Sequence, residues 1–467
     1  MAGFFHVPIR RQQILLFVVD LGLLLLSLML AFVIARFAHF NILFVLDRFT
    51  VACIIYFTVY CTVFFVGQLY DVENRYQEMR SFLYICGLIV VANLIISMTY
   101  YFLPTWRIAR RVMAFQAPIA VLFIYLWRRL YALVTRGLMS ARRVLLVGAD
   151  ETVASLIEDF RTGYTPEFTI RGIVDDDPDK HGRGFGGVPV LGTSSSLREI
   201  VDREKVEIIV FSPGYRLSAN GHTVRNVLEM KARGVKVYEL ATFYMRMTGK
   251  VPVRYIEDQW LLFSQDFAGI ARSERTSLKR LMDIVVAASA LALLSPLMLL
   301  LAAIVKLTSR GPVLYRQERV GLDKRPYRLL KFRTMRLDAE SGGAPRWASP
   351  NDERVTATGR IMRRLRLDEI PQFFNVLRGE MSVIGPRPER PYFVDLLEKD
   401  IPYYALRFAA KPGLTGWAQV NYQYGASVED AHTKLQYDLY YIQQMSPFLD
   451  LVILLKTFQT LLFRPGY

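Results

Sequence analysis

Cysteine is scarce: the 467 residues hold three, Cys53, Cys61 and Cys86, all inside strongly apolar stretches. Three such thiols make neither a disulfide framework nor a zinc site, and they read as small buried apolar residues. No internal repeat, low-complexity tract or heptad run is present, which excludes solenoids and coiled coils. No zinc-finger or helix-turn-helix pattern accompanies the basic residues, so no nucleic acid partner is expected. Acidic side chains are also in deficit, 42 against 58 Lys and Arg, for a formal charge of +16. That balance points to phosphorylated substrates or anionic lipid head groups.

Apolar side chains are abundant: 52% of residues are hydrophobic and the mean hydropathy is +0.24. In a chain too long for one ordinary domain, this indicates a membrane protein. Apolar runs at 14–35, 49–69 and 82–103 can each cross a bilayer core, and a shorter one at 112–127 ends on Arg128 and Arg129. A bundle of four transmembrane helices is therefore expected over residues 1–137. Arg10 and Arg11 precede the first run as in a signal peptide. The run is too long for one and lacks a cleavage site, so it is expected to stay attached. An even number of spans returns the chain to its starting side. Arg128, Arg129, Arg136, Arg142 and Arg143 place that side in the cytoplasm, against Arg107, Arg110 and Arg111 in the outer loop.

From 138 to 267 short β-branched runs alternate with amphipathic segments, which predicts a parallel α/β layer of Rossmann-like type. Its first turn, "VGADETV", has one glycine where the dinucleotide fingerprint needs three, although Asp175, Asp176 and Asp177 follow the next strand. A structural or regulatory role is favoured over ligand binding. The Tyr-x-x-x-Lys pair of a nucleotide-sugar dehydratase is matched only by Tyr327 and Lys331, outside this domain.

A fifth apolar run, 284–305, is flanked on both sides by cations: Lys279 and Arg280 before it, Lys306 and Arg310 after it. Pro296 at its centre removes a hydrogen bond to Ala292, and Ser295 can take up the freed carbonyl. A re-entrant helix over about 280–306, turning at Ser295 and Pro296, meets these observations and leaves the rest of the chain at the cytoplasmic face.

The remainder, 268–467, is predicted to be a mixed α/β catalytic domain. Asp368 and Glu369 follow a run of arginines (Arg360, Arg363, Arg364, Arg366) and precede a short helix that Pro371 starts and Gly379 caps. Adjacent carboxylates among arginines suit phosphoryl transfer with Mg²⁺: one carboxylate attacks phosphorus and its neighbour holds the metal. The segment 447–463 reads as a helix lying on the membrane or against the core.

These stretches, "KRLMD", the Ser-Pro of the apolar run, "KFRTM", "LDEIPQFFNVLRGEMSVIGPRP" and "PGLTGWAQVN", occur in an order that resembles the bacterial polyprenyl-phosphate sugar-1-phosphate transferases. These monotopic phosphoglycosyl transferases begin exopolysaccharide and related glycans, and the four spans with an α/β domain are similar to the large branch. The resemblance implies that Asp368 attacks a UDP-sugar, that undecaprenyl phosphate takes the phosphosugar, and that Glu369, with Asp368, binds Mg²⁺. It implies that Arg387, with Lys331 and Arg333 behind it, contacts the nucleotide or its phosphates. Lys279, Arg280 and Asp283 would fix the membrane helix or meet the lipid phosphate, and Asp438 would be structural. Lys411-Pro412-Gly413 and Tyr422-Gln423 depart from the family pattern, which bears on sugar choice. The lipid bilayer is the third partner, and a homodimer is compatible with this reading. The alternatives are an NAD-dependent nucleotide-sugar dehydratase or epimerase, and a non-enzymatic scaffold of a polysaccharide assembly complex.

Overall fold

The computed structural model describes residues 11–35, 42–67, 69–70, 78–102, 108–138, 141–162, 168–215, 221–256, 273–336, 352–422, 425 and 427–463. They fall into two compact units, Ile9–Ser140 and Ala141–Tyr467.

The first unit holds α1 (Arg11–Ile34), α2 (Ile42–Val66), α3 (Glu78–Phe102) and α4 (Arg110–Leu138). Among the described residues α1, α3, α4 and, in the second unit, the segment Ser277–Thr308 are long and apolar enough to cross a membrane, and α2 has the shorter apolar stretch Thr50–Val66. Leu83, Leu94, Met98 and Leu133 point outward, so hydrophobicity does not distinguish inside from outside here. The interior is instead marked by polar bonds: Asn93 Nδ2 donates to Tyr60 OH (2.8 Å), Tyr60 OH to Gln116 Oε1 (3.1 Å) and Tyr100 OH to the Ala52 carbonyl (2.8 Å). The three cysteines are free.

The fourth span is longer than its apolar run suggests. Arg128 marks no boundary, because it pairs with Asp20 of α1 in the bundle interior, and α4 continues to Leu138. Arg110 and Arg111, expected in an outer loop, form the first turn of α4, while Arg10 and Arg107 lie outside the described residues.

The second unit begins with a six-stranded sheet in the order β3-β4-β2-β1-β5-β6. Its strands are β1 (Arg142–Val147), β2 (Phe168–Val174), β3 (Gly184–Phe185), β4 (Val188–Gly192), β5 (Ile208–Phe211) and β6 (Lys236–Glu239). All pairings are parallel except β3 with β4. Helices α5 (Glu151–Thr162), α6 (Leu197–Glu204), α7 (Gly221–Ala232) and α8 (Leu240–Thr248) complete the layers. Val144 and Leu146 of β1 enter one core and Leu145 and Val147 the other. Burial on both faces is why this strand reads as an unbroken apolar run. The expected end of this domain, near Phe267, lies outside the described residues.

Next comes α9 (Ser273–Thr308), which continues through Pro296. Ser295 Oγ donates to the Ala292 carbonyl (2.9 Å), the acceptor that the proline leaves without an amide. Leu293, Leu299 and Leu307 are each at least 74% exposed, an apolar surface suited to lipid rather than water.

The C-terminal region then builds an antiparallel hairpin of β7 (Leu314–Val320) and β8 (Pro326–Phe332), followed by α10 (Ala357–Arg364) and α11 (Gln372–Arg378). A parallel pair, β9 (Ser382–Ile384) with β10 (Gly413–Thr415), brackets α12 (Pro391–Asp400). The chain ends in α13 (Trp417–Asn421), α14 (Val428–Gln444) and α15 (Pro447–Phe463). In α15 Leu449 and Ile453 are buried while Leu451 and Phe458 are exposed, as the 447–463 pattern predicts.

Candidate active site

The dyad sits on a single 3₁₀ turn, Leu367–Glu369, between α10 and α11. Arg366 opens that turn in the left-handed region (φ 54°), a conformation that costs a non-glycine residue roughly 1 kcal/mol and turns the chain between the two helices. Pro371 then precedes α11 and Gly379 (φ 83°) closes it, as the sequence predicts.

The two carboxylates share a turn and differ in surroundings. Arg387 Nη2 donates to Glu369 Oε1 at 2.9 Å, Lys331 Nζ lies 3.8 Å from the same oxygen, and Arg366 Nη1 lies 3.7 Å from Oε2. Asp368 is buried. Burial pushes the Asp368 carboxyl up, and the neighbouring Glu369 charge adds to this, bringing it to about 6 against the pull of Lys331 and Arg363. Burial acts in the same direction on Glu369, but Arg387, Lys331 and Arg366 together outweigh it and hold that group at about 2. Burial lowers Lys331 to about 8, with Glu369 opposing. The result is one carboxylate held in its ionised form beside one whose ionisation is opposed, which is how adjacent carboxylates divide two roles.

Three supports place these side chains. Asn375 of α11, fully buried, accepts from the Leu330 amide (3.0 Å) and donates to the Arg328 carbonyl (2.8 Å), which fixes β8, and so Lys331, against the dyad's helix. Arg387 follows β9, where Gly385 and Gly413 meet so closely that a Cβ on Gly413 would stand 2.0 Å from the Gly385 nitrogen. Behind it, Arg407 Nη2 donates to the Arg387 carbonyl (3.0 Å) and to Asp438 Oδ2 (2.8 Å), and both members of that ion pair are buried. Asp438, expected to be structural, is held in this ion pair.

The sequence-predicted Lys279, Arg280 and Asp283 near the start of α9 bond to the elements that follow it. Arg280 donates to the Val376 and Leu377 carbonyls (2.6 and 2.7 Å) at the end of α11. Asp283 Oδ1 accepts from Ser382 Oγ (2.9 Å) and the Val383 amide (2.8 Å), and Lys279 pairs with Asp450 (2.8 Å). Arg333 is not gathered to the dyad: it bonds the carbonyl and hydroxyl of Ser309 (both 2.8 Å) just beyond the other end of α9. Lys411 lies near Arg280 and Asp283 rather than at the dyad, and Gln423 is outside the described residues. Sequence reasoning gave no role to Asn375, Arg366 or Arg407. Asn375 lay inside a quoted motif and Arg366 in the run of arginines before the dyad, but no local pattern singles out Arg407.

Among the described residues no group of three or more His, Cys, Asp and Glu could hold an ion. The dyad offers hard oxygen donors, and Glu369 already faces three cations. Such a pair suits Mg²⁺ where substrate phosphate oxygens complete the coordination.

Residues 274–464 match the family model for bacterial sugar transferases, and residues 68–213 match a CoA-binding domain model. An Aeromonas hydrophila protein named UDP-N-acetylgalactosamine-undecaprenyl-phosphate N-acetylgalactosaminephosphotransferase is 43% identical over 231 residues. That match covers 49% of this chain and spans about half, 52%, of the relative's length. A Klebsiella pneumoniae UDP-glucose:undecaprenyl-phosphate glucose-1-phosphate transferase is 34% identical, covering 70% of this chain and 69% of its own. An undecaprenyl-phosphate glucose phosphotransferase of Komagataeibacter xylinus is 31% identical, covering 81% and 70%. The order of motifs, the dyad they build and the extent of these matches place this chain in the bacterial sugar transferase family.

Proposed function

We propose that this protein transfers a sugar 1-phosphate from a UDP-sugar to undecaprenyl phosphate, through a phosphosugar held covalently on Asp368. The observation that carries the reading is the division of the dyad, with Glu369 locked in its ion pairs and Asp368 buried beside it and ionising near neutrality.

An Asp368 carboxylate oxygen attacks the β-phosphorus, and the bond from that phosphorus to the bridging oxygen breaks, releasing UMP. A phosphate oxygen of the lipid then attacks the same phosphorus, and the acyl-phosphate bond breaks to return the carboxylate and yield the polyprenyl diphospho-sugar. Arg387 and Lys331 neutralise donor phosphate oxygens while holding Glu369, and their charge favours the anion that develops in the transition state. Mg²⁺ held by Glu369 and Asp368 would neutralise further phosphate charge.

The product would begin an exopolysaccharide or related glycan. The α/β layer fits a degenerate Rossmann-like domain, and α9 fits a re-entrant helix. Arg280 and Asp283 near its start and Ser309 just past its end all bond to the same catalytic region. A helix crossing the bilayer would carry those ends to opposite faces. With the charge bias of the sequence, this supports a catalytic domain at the cytoplasmic face of the inner membrane.

The test is to supply purified protein with Mg²⁺, undecaprenyl phosphate and a panel of UDP-sugars, and to identify the nucleotide. UMP released with some sugars is expected; UDP would make it an ordinary glycosyltransferase and overturn the proposal.

A further inference from the structure

The domain matched to a CoA-binding model has a place where such folds hold a phosphate-bearing cofactor: the crevice at the carboxyl ends of β1, β2 and β5, beside the N-terminus of α5. In this chain that place is occupied by the protein's own carboxylates. Asp175 Oδ2 accepts the Ala149 amide (2.6 Å) and Asp150 Oδ1 accepts the Val153 amide (2.8 Å), so two N–H groups that would cradle a pyrophosphate are already used. Asp176 stands alongside, taking the Ser194 amide (2.7 Å) on Oδ1 and the Tyr215 hydroxyl (2.7 Å) on Oδ2.

Ser212, just past β5, packs against the turn. Ser212 Oγ bonds Asp150, and the one fingerprint glycine, Gly148 (φ 97°), is needed because a Cβ there would stand 2.9 Å from the Ser212 Cβ. Gly148 therefore serves packing of protein on protein, not the approach of a ligand. Burial opposes ionisation of Asp175 and Asp176. For Asp175 the Ala149 and Asp177 amides and Lys180 outweigh it; for Asp176 Tyr215 and Ser194 do so, and both carboxyls fall below the usual range. Three carboxylates thus share the crevice with Lys180, whose ammonium is committed to Asp175 at 3.1 Å.

We infer that the strand-end crevice of this α/β layer is taken up by its own carboxylates, and holds neither CoA nor a dinucleotide. The sugar-nucleotide reaction is then carried by the dyad alone, and the alternative of an NAD-dependent dehydratase loses its cofactor site. The layer keeps a mechanical contribution at its other end: Trp417 Nε1 donates to the Gly249 carbonyl (2.9 Å), and the Val251 amide donates to the Gln436 carbonyl (3.0 Å) on α14, two residues before Asp438.

The experiment is equilibrium dialysis of the full-length protein in lipid nanodiscs against labelled CoA and, separately, NADH, each with and without excess UDP-glucose and UDP-N-acetylgalactosamine. No saturable binding up to millimolar ligand is expected. Saturable binding that the UDP-sugars displace and that Asp175→Arg leaves unchanged would place the ligand at the dyad and leave the inference standing. Saturable binding that they do not displace, and that Asp175→Arg alters, would overturn the inference. Undisplaced binding indifferent to that variant would lie outside the crevice and leave the inference standing.

Discussion

Asp368→Asn and Glu369→Gln should both abolish turnover and move stability in opposite directions. Asp368 is raised from 3.8 to about 6, so its ionised form is disfavoured by the fold. The stability tied to its neutral form is complete below its ordinary value and lost as pH rises through about 6, a cost of about 3 kcal/mol at neutral pH. Glu369 is lowered from 4.5 to about 2, so it contributes about 3 kcal/mol at neutral pH, lost as pH falls from about 4.5 to about 2. An uncharged amide at 368 removes the cost, and one at 369 removes the contribution and leaves three cations facing no carboxylate. At roughly 2–4 °C per kcal/mol for a domain of this size, the midpoints should separate by roughly 10–20 °C at pH 7.5, Asp368→Asn above wild type and Glu369→Gln below. Scanning fluorimetry in one detergent, with UMP release measured on the same samples, reads both effects. Equal destabilisation of both variants, or turnover by Asp368→Asn, would refute the reasoning.

Activity should rise with pH through an apparent value near 6, where the dyad supplies its nucleophile, and fall above about 8 as Lys331 loses its proton; a kcat/KM profile from pH 5 to 9.5 checks both limbs. Asp438→Asn should cost roughly 3–5 kcal/mol of stability, since it leaves Arg407 buried without its carboxylate, and Arg407→Lys should raise KM for the UDP-sugar more than it lowers kcat, because the Arg387 carbonyl loses its tether. Cysteines placed singly at Leu281 and Leu307, in a background without the native three, should both be labelled only from the cytoplasmic side. Labelling of Leu307→Cys from the periplasm would make α9 a span.

Much of this molecule was legible because local patterns decide local structure. The strands of the α/β layer, the short helix from Pro371 to Gly379 and the C-terminal helix all follow from periodicity, proline and glycine. The dyad was legible for the same reason, being adjacent in sequence and framed by arginines. What sequence could not supply is partnership at long range. Arg128 looked like the end of a span until Asp20, 108 residues earlier, was found beside it. Arg333 and Lys331 stand two apart on one stretch of "KFRTM", yet Lys331 turns to Glu369 while Arg333 turns to Ser309. Lys331 belongs to β8, and Arg333 lies just past the end of that strand. Arg407 acts through a backbone carbonyl, so no side-chain pattern in the sequence records its role.

The central claim is a covalent phosphosugar on Asp368, and the most direct measurement is to incubate the purified protein with a UDP-sugar carrying ³²P in the β-phosphate, without any lipid acceptor. Label retained on wild-type protein, mapped to the peptide holding Asp368, absent from Asp368→Asn and chased into lipid by undecaprenyl phosphate, is the predicted result. Label that never stays with the protein while lipid product still forms would contradict it, and would mean direct transfer from donor to acceptor.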